Sequence, residues 1–305
     1  MKNSPYFNQV RLILRILPYL KAEKRFALKG GTAINLFVRE MPRLSIDIDL
    51  AWLPLEPRET ALQGINAALI NLANMIRTKI PGTNIRESRL GKTKNVVRLT
   101  VATEQAVIKI EPNLVIRGTV FPCEERSLCH TAEETFELTT TAVTVSKEDL
   151  YGGKLCAALD RQHPRDLFDI KVLMENEGIT EKIRTAFVLY LASHDRPMSE
   201  LLDPHQKDLS LIYKQEFAGM SVQPIEYKEL VKARQQIIDT LRNTLTKEER
   251  LFLLSIKKGQ PEWELLAVAG IHQLPAIQWK LFNIQKMDTI KHRKATEKLR
   301  NLLEL

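Results

Sequence analysis

Lys29-Gly-Gly-Thr-Ala-Ile-Asn-Leu-Phe-Val-Arg-Glu-Met-Pro-Arg-Leu-Ser-Ile-Asp-Ile-Asp-Leu50 is the stretch that decides how this chain is read. A short strand over Arg25 to Lys29 runs into Gly30-Gly31, Thr32 caps a helix over Ala33 to Glu40, and Met41-Pro42 ends it. Leu44 to Trp52 then alternates in strand fashion, so that Ser45, Asp47 and Asp49 project together while Ile46, Ile48 and Leu50 enter the core. Two carboxylates roughly 7 Å apart along one strand edge repel each other unless a cation sits between them. Hard oxygen ligands of this kind suit Mg²⁺, which keeps waters and binds substrate phosphates as well.

The two glycines supply the complementary half. Gly30-Gly31 lets the backbone approach a phosphate closely, and the following helix aims its free N–H groups and positive end at that anion. Thr32, or Ser45 across the loop, can add a hydroxyl. Each element alone is weak, because Gly-Gly is often a plain turn and Asp-x-Asp often a solvated strand end. Together, with 15 residues between Gly31 and Asp47 that read helix then strand, they are far more specific. A phosphate cradle and a metal-binding carboxylate pair at one place are what nucleotidyl transfer requires.

Outward from this stretch the first half mixes periods. Residues 7 to 21 place Phe7, Val10, Ile13, Leu14 and Leu17 on one helix face, and Thr60 to Lys79 forms a longer helix stopped by Pro81-Gly82. Strands are expected at Asn95 to Ala102, Ala106 to Glu111, Leu114 to Phe121 and Thr139 to Val145. From Ser146 onward nearly everything has helical period: Lys147 to Arg161, Arg165 to Glu177, Glu181 to His194, His205 to Phe217, Ile225 to Leu245, Lys247 to Lys257 and a last stretch to Leu305. Ser146 with Asp149 and Thr246 with Glu249 have capping-box spacing, and Gly178 and Gly259 sit where C-terminal caps belong. The expected architecture is therefore α+β, with a mixed sheet and flanking helices over 1–145 and an all-helical domain over 146–305.

Composition excludes several classes. Across 305 residues the chain is 44% hydrophobic and 27% charged, which rules out disordered and fibrous proteins. No apolar stretch reaches the roughly 18 residues of a spanning helix, and Arg11, Arg15 and Pro18 interrupt the N-terminal apolar stretch where a signal peptide would need continuity. A cytoplasmic protein without a membrane partner is the expectation. Three cysteines cannot build a disulfide framework, and Cys123, Cys129 and His130 lack the paired spacing of a zinc site, so packing is the better reading. The net charge of +8 favours an anionic partner. It concentrates at Arg86, Arg89, Lys92, Lys94 and Arg98, and at Lys286, Lys291, Arg293, Lys294, Lys298 and Arg300; each run also reads as a solvated loop or helix face. Trp263 and Trp279 stand at apolar helix positions and are expected in the core.

Gly30-Gly31 followed by Asp47-Ile48-Asp49 resembles the signature of the DNA polymerase β-type nucleotidyltransferase superfamily. More closely, the chain resembles the AbiEii/AbiGii-type toxin nucleotidyltransferases of abortive-infection and toxin-antitoxin pairs. That resemblance rests on Lys29-Gly-Gly-Thr-Ala, Leu44-Ser-Ile-Asp-Ile-Asp-Leu, Lys154-Leu-Cys-Ala-Ala-Leu-Asp-Arg161, Pro164-Arg-Asp-Leu-Phe-Asp-Ile170 and Leu274-Pro-Ala-Ile-Gln-Trp-Lys-Leu-Phe-Asn283. Residues 50 to 145 match only in pattern.

The resemblance implies a polymerase β-like fold, with Asp47 and Asp49 as the catalytic, metal-binding pair and Gly30, Gly31 and Ser45 as triphosphate contacts. It implies Mg²⁺ (or Mn²⁺) as cofactor and a nucleoside triphosphate as co-substrate. A third metal carboxylate often comes from a neighbouring strand; Glu111 is the candidate, against the plain reading of a strand-end charge before Pro112. Lys154 matches the family's helical lysine that binds nucleotide phosphates, and Arg161, two helical turns on, shares its face while Leu155 and Leu159 turn to the core. Asp166 matches the last active-site aspartate, as proton acceptor or as orienter of Lys154. Asp169 lies on nearly the same face and can instead pair with Arg165, and His163 sits beside the site.

The implied activity is that of a toxin transferring a nucleotide to RNA, the 3′ end of tRNA in some relatives, with arrested translation as the outcome and a cognate antitoxin as a possible partner. Transfer to a protein or small-molecule acceptor, and a non-catalytic nucleotide-binding module, remain the alternatives.

Overall fold

A computed structural model of the chain describes residue 4, residues 6–91 and residues 94–305. It divides into two compact units, Met1–Leu150 with Ala218–Pro224, and Tyr151–Phe217 with Ile225–Leu305. The return of 218–224 to the first unit has no sequence signal.

In the first unit the helix α1 (Phe7–Lys21) leads into β1 (Phe26–Lys29), and a short helix α2 (Gly30–Ala33) runs on as a π-turn over Ile34–Val38. Then come β2 (Asp47–Trp52), α3 (Arg58–Lys79), β3 (Asn84–Arg89), β4 (Val96–Ala102), β5 (Val107–Pro112), β6 (Glu124–Ser127), α4 (His130–Phe136) and β7 (Thr141–Thr144). The seven strands form one mixed sheet in the order β3-β4-β5-β2-β1-β7-β6. β1 pairs antiparallel with β2, and β2 pairs parallel with β5.

Alternation splits the sheet into two unlike faces. Leu28, Ile48, Leu50, Leu99, Val101, Ile108 and Ile110 are buried, and the helices α1 and α3 pack on the sheet. Their register neighbours on the other side are charged or polar: Lys29 opposite Asp49, Asp47 opposite Lys109, Asp49 opposite Glu111, and Thr100 opposite both Lys109 and Arg86.

The expected strand at Leu114 to Phe121 does not form. Asn113 Oδ1 accepts from the N–H groups of Val115 and Ile116, Gly118 takes a positive φ, and the Asp149 carboxylate accepts from the N–H groups of Val120 and Phe121. Side chains thus satisfy the backbone that a neighbouring strand would otherwise have paired. Asn84–Arg89, read as part of a basic loop, is a strand, and Lys92 lies outside the described residues. The segment 218–224 is held on the first unit by an Arg43–Ser221 bridge and by Leu44 N–H donating to the Met220 carbonyl at 2.9 Å.

The second unit is helical. Tyr151 to Asp160 is the body of α5 (Lys147–Asp160), followed by α6 (Pro164–Glu175), α7 (Glu181–Ser193), α8 (Met198–Leu202), α9 (Ser210–Glu216), α10 (Tyr227–Thr244), α11 (Lys247–Lys258), α12 (Pro275–Gln285) and α13 (Thr289–Leu302). The Thr246/Glu249 capping box forms as its spacing predicts, and Gly259 ends α11 in the left-handed region. The helix expected over His205 to Phe217 starts only at Ser210, whose N–H is capped by Asp208. No helix among the described residues is long and apolar enough to cross a membrane.

Helix α5 meets α7 at Gly152, where a methyl would lie 2.7 Å from Ala186 Cβ and 2.8 Å from the Phe187 nitrogen; at Gly153 it would meet only the Tyr190 ring, at 3.6 Å. Gly152→Ala should therefore lower stability by about 2 kcal/mol in urea unfolding, while Gly153→Ala should be neutral or slightly stabilising, because alanine favours a helix.

Candidate active site

The residues singled out in the sequence fall into two sets, each assembled within one unit. In the first unit, pairing of Lys29 with Asp49 carries the next residue, Gly30, directly over the Asp49 side chain. Gly30 has φ +70°, and a Cβ there would lie 2.1 Å from Asp49 Oδ2. Only glycine leaves the carboxylate where it is. Gly31 is equally confined: its Cβ would sit 2.6 Å from Arg43 Nη2 and 2.9 Å from Ser45 Oγ.

Thr32 and Ser45 knit this corner together. Thr32 is fully buried; its hydroxyl lies 3.0 Å from Ser45 Oγ and donates to the Asp47 carbonyl, and the Asn35 amide donates to the Gly31 carbonyl at 2.9 Å. The glycine bend is thus tied to the first residue of β2. Asp47 and Asp49 share one face of β2, as the alternation predicts, and are half-buried.

Glu111 is in register with Asp49 on the neighbouring parallel strand and forms a 3.1 Å ion pair with Arg98. Among the described residues no cluster of three or more His, Cys, Asp or Glu side chains is assembled as a metal site. The two aspartates offer a hard-oxygen pair of the sort that Mg²⁺ completes with waters and phosphate oxygens, so the donor set fits a cation shared with a substrate.

The second set is a buried charge cluster in the helical unit. Lys154 of α5, only 7% exposed, places its ammonium 2.9 Å from Asp166 and 3.2 Å from Asp169, both on α6. Arg161, largely exposed, adds a 2.8 Å contact to Asp166. Burial alone would raise the Asp166 carboxyl, but Lys154 and Arg161 outweigh it and hold the group down to about 2. His163 caps α6 by accepting from the Arg165 N–H at 3.2 Å and faces Glu216 with its other ring nitrogen; burial lowers its affinity for a proton.

Two residues, Arg43 and Lys109, belong to no quoted motif, and a third, Asp169, has a partner that its motif did not assign. Arg43, almost fully buried, donates to the Leu44 carbonyl and packs against Gly31, yet in sequence it is one more basic residue after Met41-Pro42. Lys109 was within reach, because the period-two run Val107 to Glu111 puts it on the face of Glu111. Asp169 contacts Lys154, a partner that spacing along one helix could not supply.

The family described as Nucleotidyl transferase AbiEii toxin, Type IV TA system, matches residues 11–283. The chain belongs to this AbiEii family. It is a nucleotidyltransferase, and the toxin-antitoxin setting of the AbiEii family implies a cognate antitoxin and a nucleoside triphosphate substrate. Among solved structures, the nucleotidyltransferase toxin MenT4 from Mycobacterium tuberculosis H37Rv matches with a TM-score of 0.59 and 14% identity, over 96% of this chain and 91% of that one. At that identity the AbiEii chain and MenT4 share a fold. Terminal uridylyl transferase 4 from Trypanosoma brucei with bound dUTP, 14% identical over 96% of this chain and 91% of that one, matches at a TM-score of 0.32, too low to support any argument. No curated protein matches the chain in sequence.

Two outcomes test this geometry. Gly30→Ala should keep the circular dichroism of the fold while lowering nucleotidyl transfer about a hundredfold, because it would displace the Asp49 carboxylate by about an ångström. The stability that Asp166 contributes should be complete above pH 3.8 and decline as pH falls towards 2, because its folded-state pKa lies below the unfolded value. The gap in urea midpoint between wild type and Asp166→Asn, measured against pH, should therefore close over that window.

Proposed function

We propose that this AbiEii protein is a metal-dependent toxin that transfers a nucleotide from a nucleoside triphosphate to an RNA acceptor, the 3′ end of tRNA being the favoured target, and thereby blocks translation. The observation that carries the reading is the fit of Gly30 against the Asp49 carboxylate, which holds the glycine bend beside two aspartates on one strand face. In the transfer, the acceptor hydroxyl forms a bond to the α-phosphorus, the bond to the β-phosphate oxygen breaks, pyrophosphate leaves, and the hydroxyl proton passes to a base or to water.

Asp47 and Asp49 would hold Mg²⁺ or Mn²⁺, with Glu111 available once it releases Arg98. When bound, such an ion neutralises charge on the triphosphate and on the attacking oxygen. Gly30 and Gly31 would offer backbone N–H groups to the phosphate tail, and Thr32 and Ser45 hold the bend in place through their mutual contact. Lys154 and Arg161 are assigned to the nucleotide phosphates. A carboxyl held near 2 is a poor proton acceptor at neutral pH, so its ion pairs favour Asp166 as the group that orients Lys154.

The charge on the polar sheet face supports a polyanionic acceptor. Arg86, Thr100, Lys109 and Asp47 follow one another across four strands in a single register row, with Lys109 and Arg86 exposed. The basic segments at 86–98 and 286–300 extend the same preference for phosphate, and binding through them would weaken steeply with salt.

With Mg²⁺ and labelled triphosphates, the protein should label an RNA fraction, the label being lost to ribonuclease and retained after protease. Asp47→Asn and Lys154→Ala should each reduce labelling to background. Label lost only to protease would replace RNA by a protein acceptor, and labelling that survives Asp47→Asn would overturn the metal assignment.

A further inference from the structure

Trp279, expected in the core, is 52% exposed, and Phe282 is 43% exposed. They are the aromatic members among the strongly exposed large apolar side chains of the described residues, and they lie next to each other. Helix α12 explains why. Ala276, Ile277, Leu281 and Ile284 bury one face, while Trp279, Phe282 and Lys286, at spacings of three and four, share the other. Lys280 fixes the helix in that orientation, its ammonium donating to the carbonyls of His194 and Arg196 at 2.6 and 2.8 Å.

The outward face is built in a particular way. The Trp279 and Phe282 rings stack with centroids 5.5 Å apart and planes 26° apart, and the Lys286 ammonium sits 3.9 Å from the Phe282 centroid. Flat π-surfaces left in water beside a cation are a poor outcome for folding alone and a good one for a flat ligand whose ring stacks on them while the cation meets its negative charge. The following helix, α13, begins after a short link and exposes Lys291, Arg293, Lys294, Lys298 and Arg300 against Glu297 and the capping Asp288. Stacking rings beside Lys286, followed along the chain by a run of cations on the next helix, combine the two features that hold single-stranded nucleic acid, aromatic faces for bases and positive charge for the backbone.

We propose that Trp279 and Phe282, with Lys286, form a stacking platform for an unpaired nucleobase of the RNA acceptor, while the cations of α13 hold the adjoining phosphates. This rests on the RNA reading above and adds to it how the acceptor is chosen: a base free of its duplex is required, so a single-stranded end is preferred over a blunt helix. Lys286 beside the rings and the cations of the following helix favour a polyanion such as nucleic acid over a protein partner that lacks an acidic face.

The test uses the full chain and fluorescence anisotropy with two probes, a single-stranded RNA of about 12 nucleotides and a blunt RNA hairpin of equal length. Trp279→Ala should weaken binding of the single strand about tenfold, the size of one lost base stack, and leave the hairpin almost unchanged. Trp279→Tyr should restore the affinity. The tenfold ratio should persist as salt is raised, whereas Lys294→Ala should flatten the salt dependence.

Equal affinity of wild type and Trp279→Ala for the single strand, equal loss on both probes, or no binding of the single strand by wild type would overturn the platform. So would loss of antitoxin binding with RNA affinity intact, which would assign the rings to a protein contact. The two readings fail separately. If wild type labels no RNA but Trp279→Ala still loses the single strand, the platform stands and the acceptor assignment falls. RNA labelling with an unchanged KM for RNA in Trp279→Ala gives the reverse.

Discussion

The Asp49 carboxylate occupies space that any side chain at residue 30 would need, and the rest of the active corner is arranged around that exclusion. The antiparallel register of β1 and β2 brings Gly30 over Asp49, its positive φ turns the chain into α2, and the turn presents Gly31 to Arg43 and Ser45. A single residue step in that register would send Asp49 to the buried face and an apolar neighbour to the polar one. The dense apolar packing under the sheet therefore fixes the register that sets Asp47 and Asp49 on the polar face.

The helical unit uses charge differently. Lys154, Asp166 and Asp169 are buried together, and buried ions persist only when their partners are well placed, because breaking such a pair is far more costly than forming it is favourable. The two aspartates hold the lysine ammonium in one place. This is how a flexible lysine side chain becomes a positive charge fixed in place.

Much of this was legible in the sequence where local rules decide. The alternation over 47–52 and the Thr246/Glu249 box depend on neighbours a few residues apart and take the expected form. The strand, however, starts at Asp47 rather than Leu44, with Ser45 buried and Ile46 half-exposed, and the helix opens at Gly30 with Thr32 inside it, its hydroxyl engaged by Ser45 and the Asp47 carbonyl instead of forming a cap. What escaped depends on partners distant along the chain. Leu114 to Phe121 has the composition of a strand, but Asp149 takes two of its N–H groups. Asn84 to Arg89 looks like a loop because an edge strand with one wet face carries arginines there. Trp279 sits at an apolar period on a helix whose other face already fills the core, and no spacing rule reveals which of two apolar faces will be covered. Arg43 gains its position from the returning segment 218–224, which the sequence presents only as the interval between two helices.

The central claim is that the aspartate pair of β2 and the glycine bend together receive a cation and a triphosphate tail. Its most direct test is a crystal grown with Mn²⁺ and a non-hydrolysable nucleoside triphosphate, with the metal located by anomalous scattering. The account predicts an anomalous peak coordinated by both Asp47 and Asp49, with phosphate oxygens against the Gly30-Gly31 backbone. A peak held by other residues, or a triphosphate seated away from that bend, would contradict it.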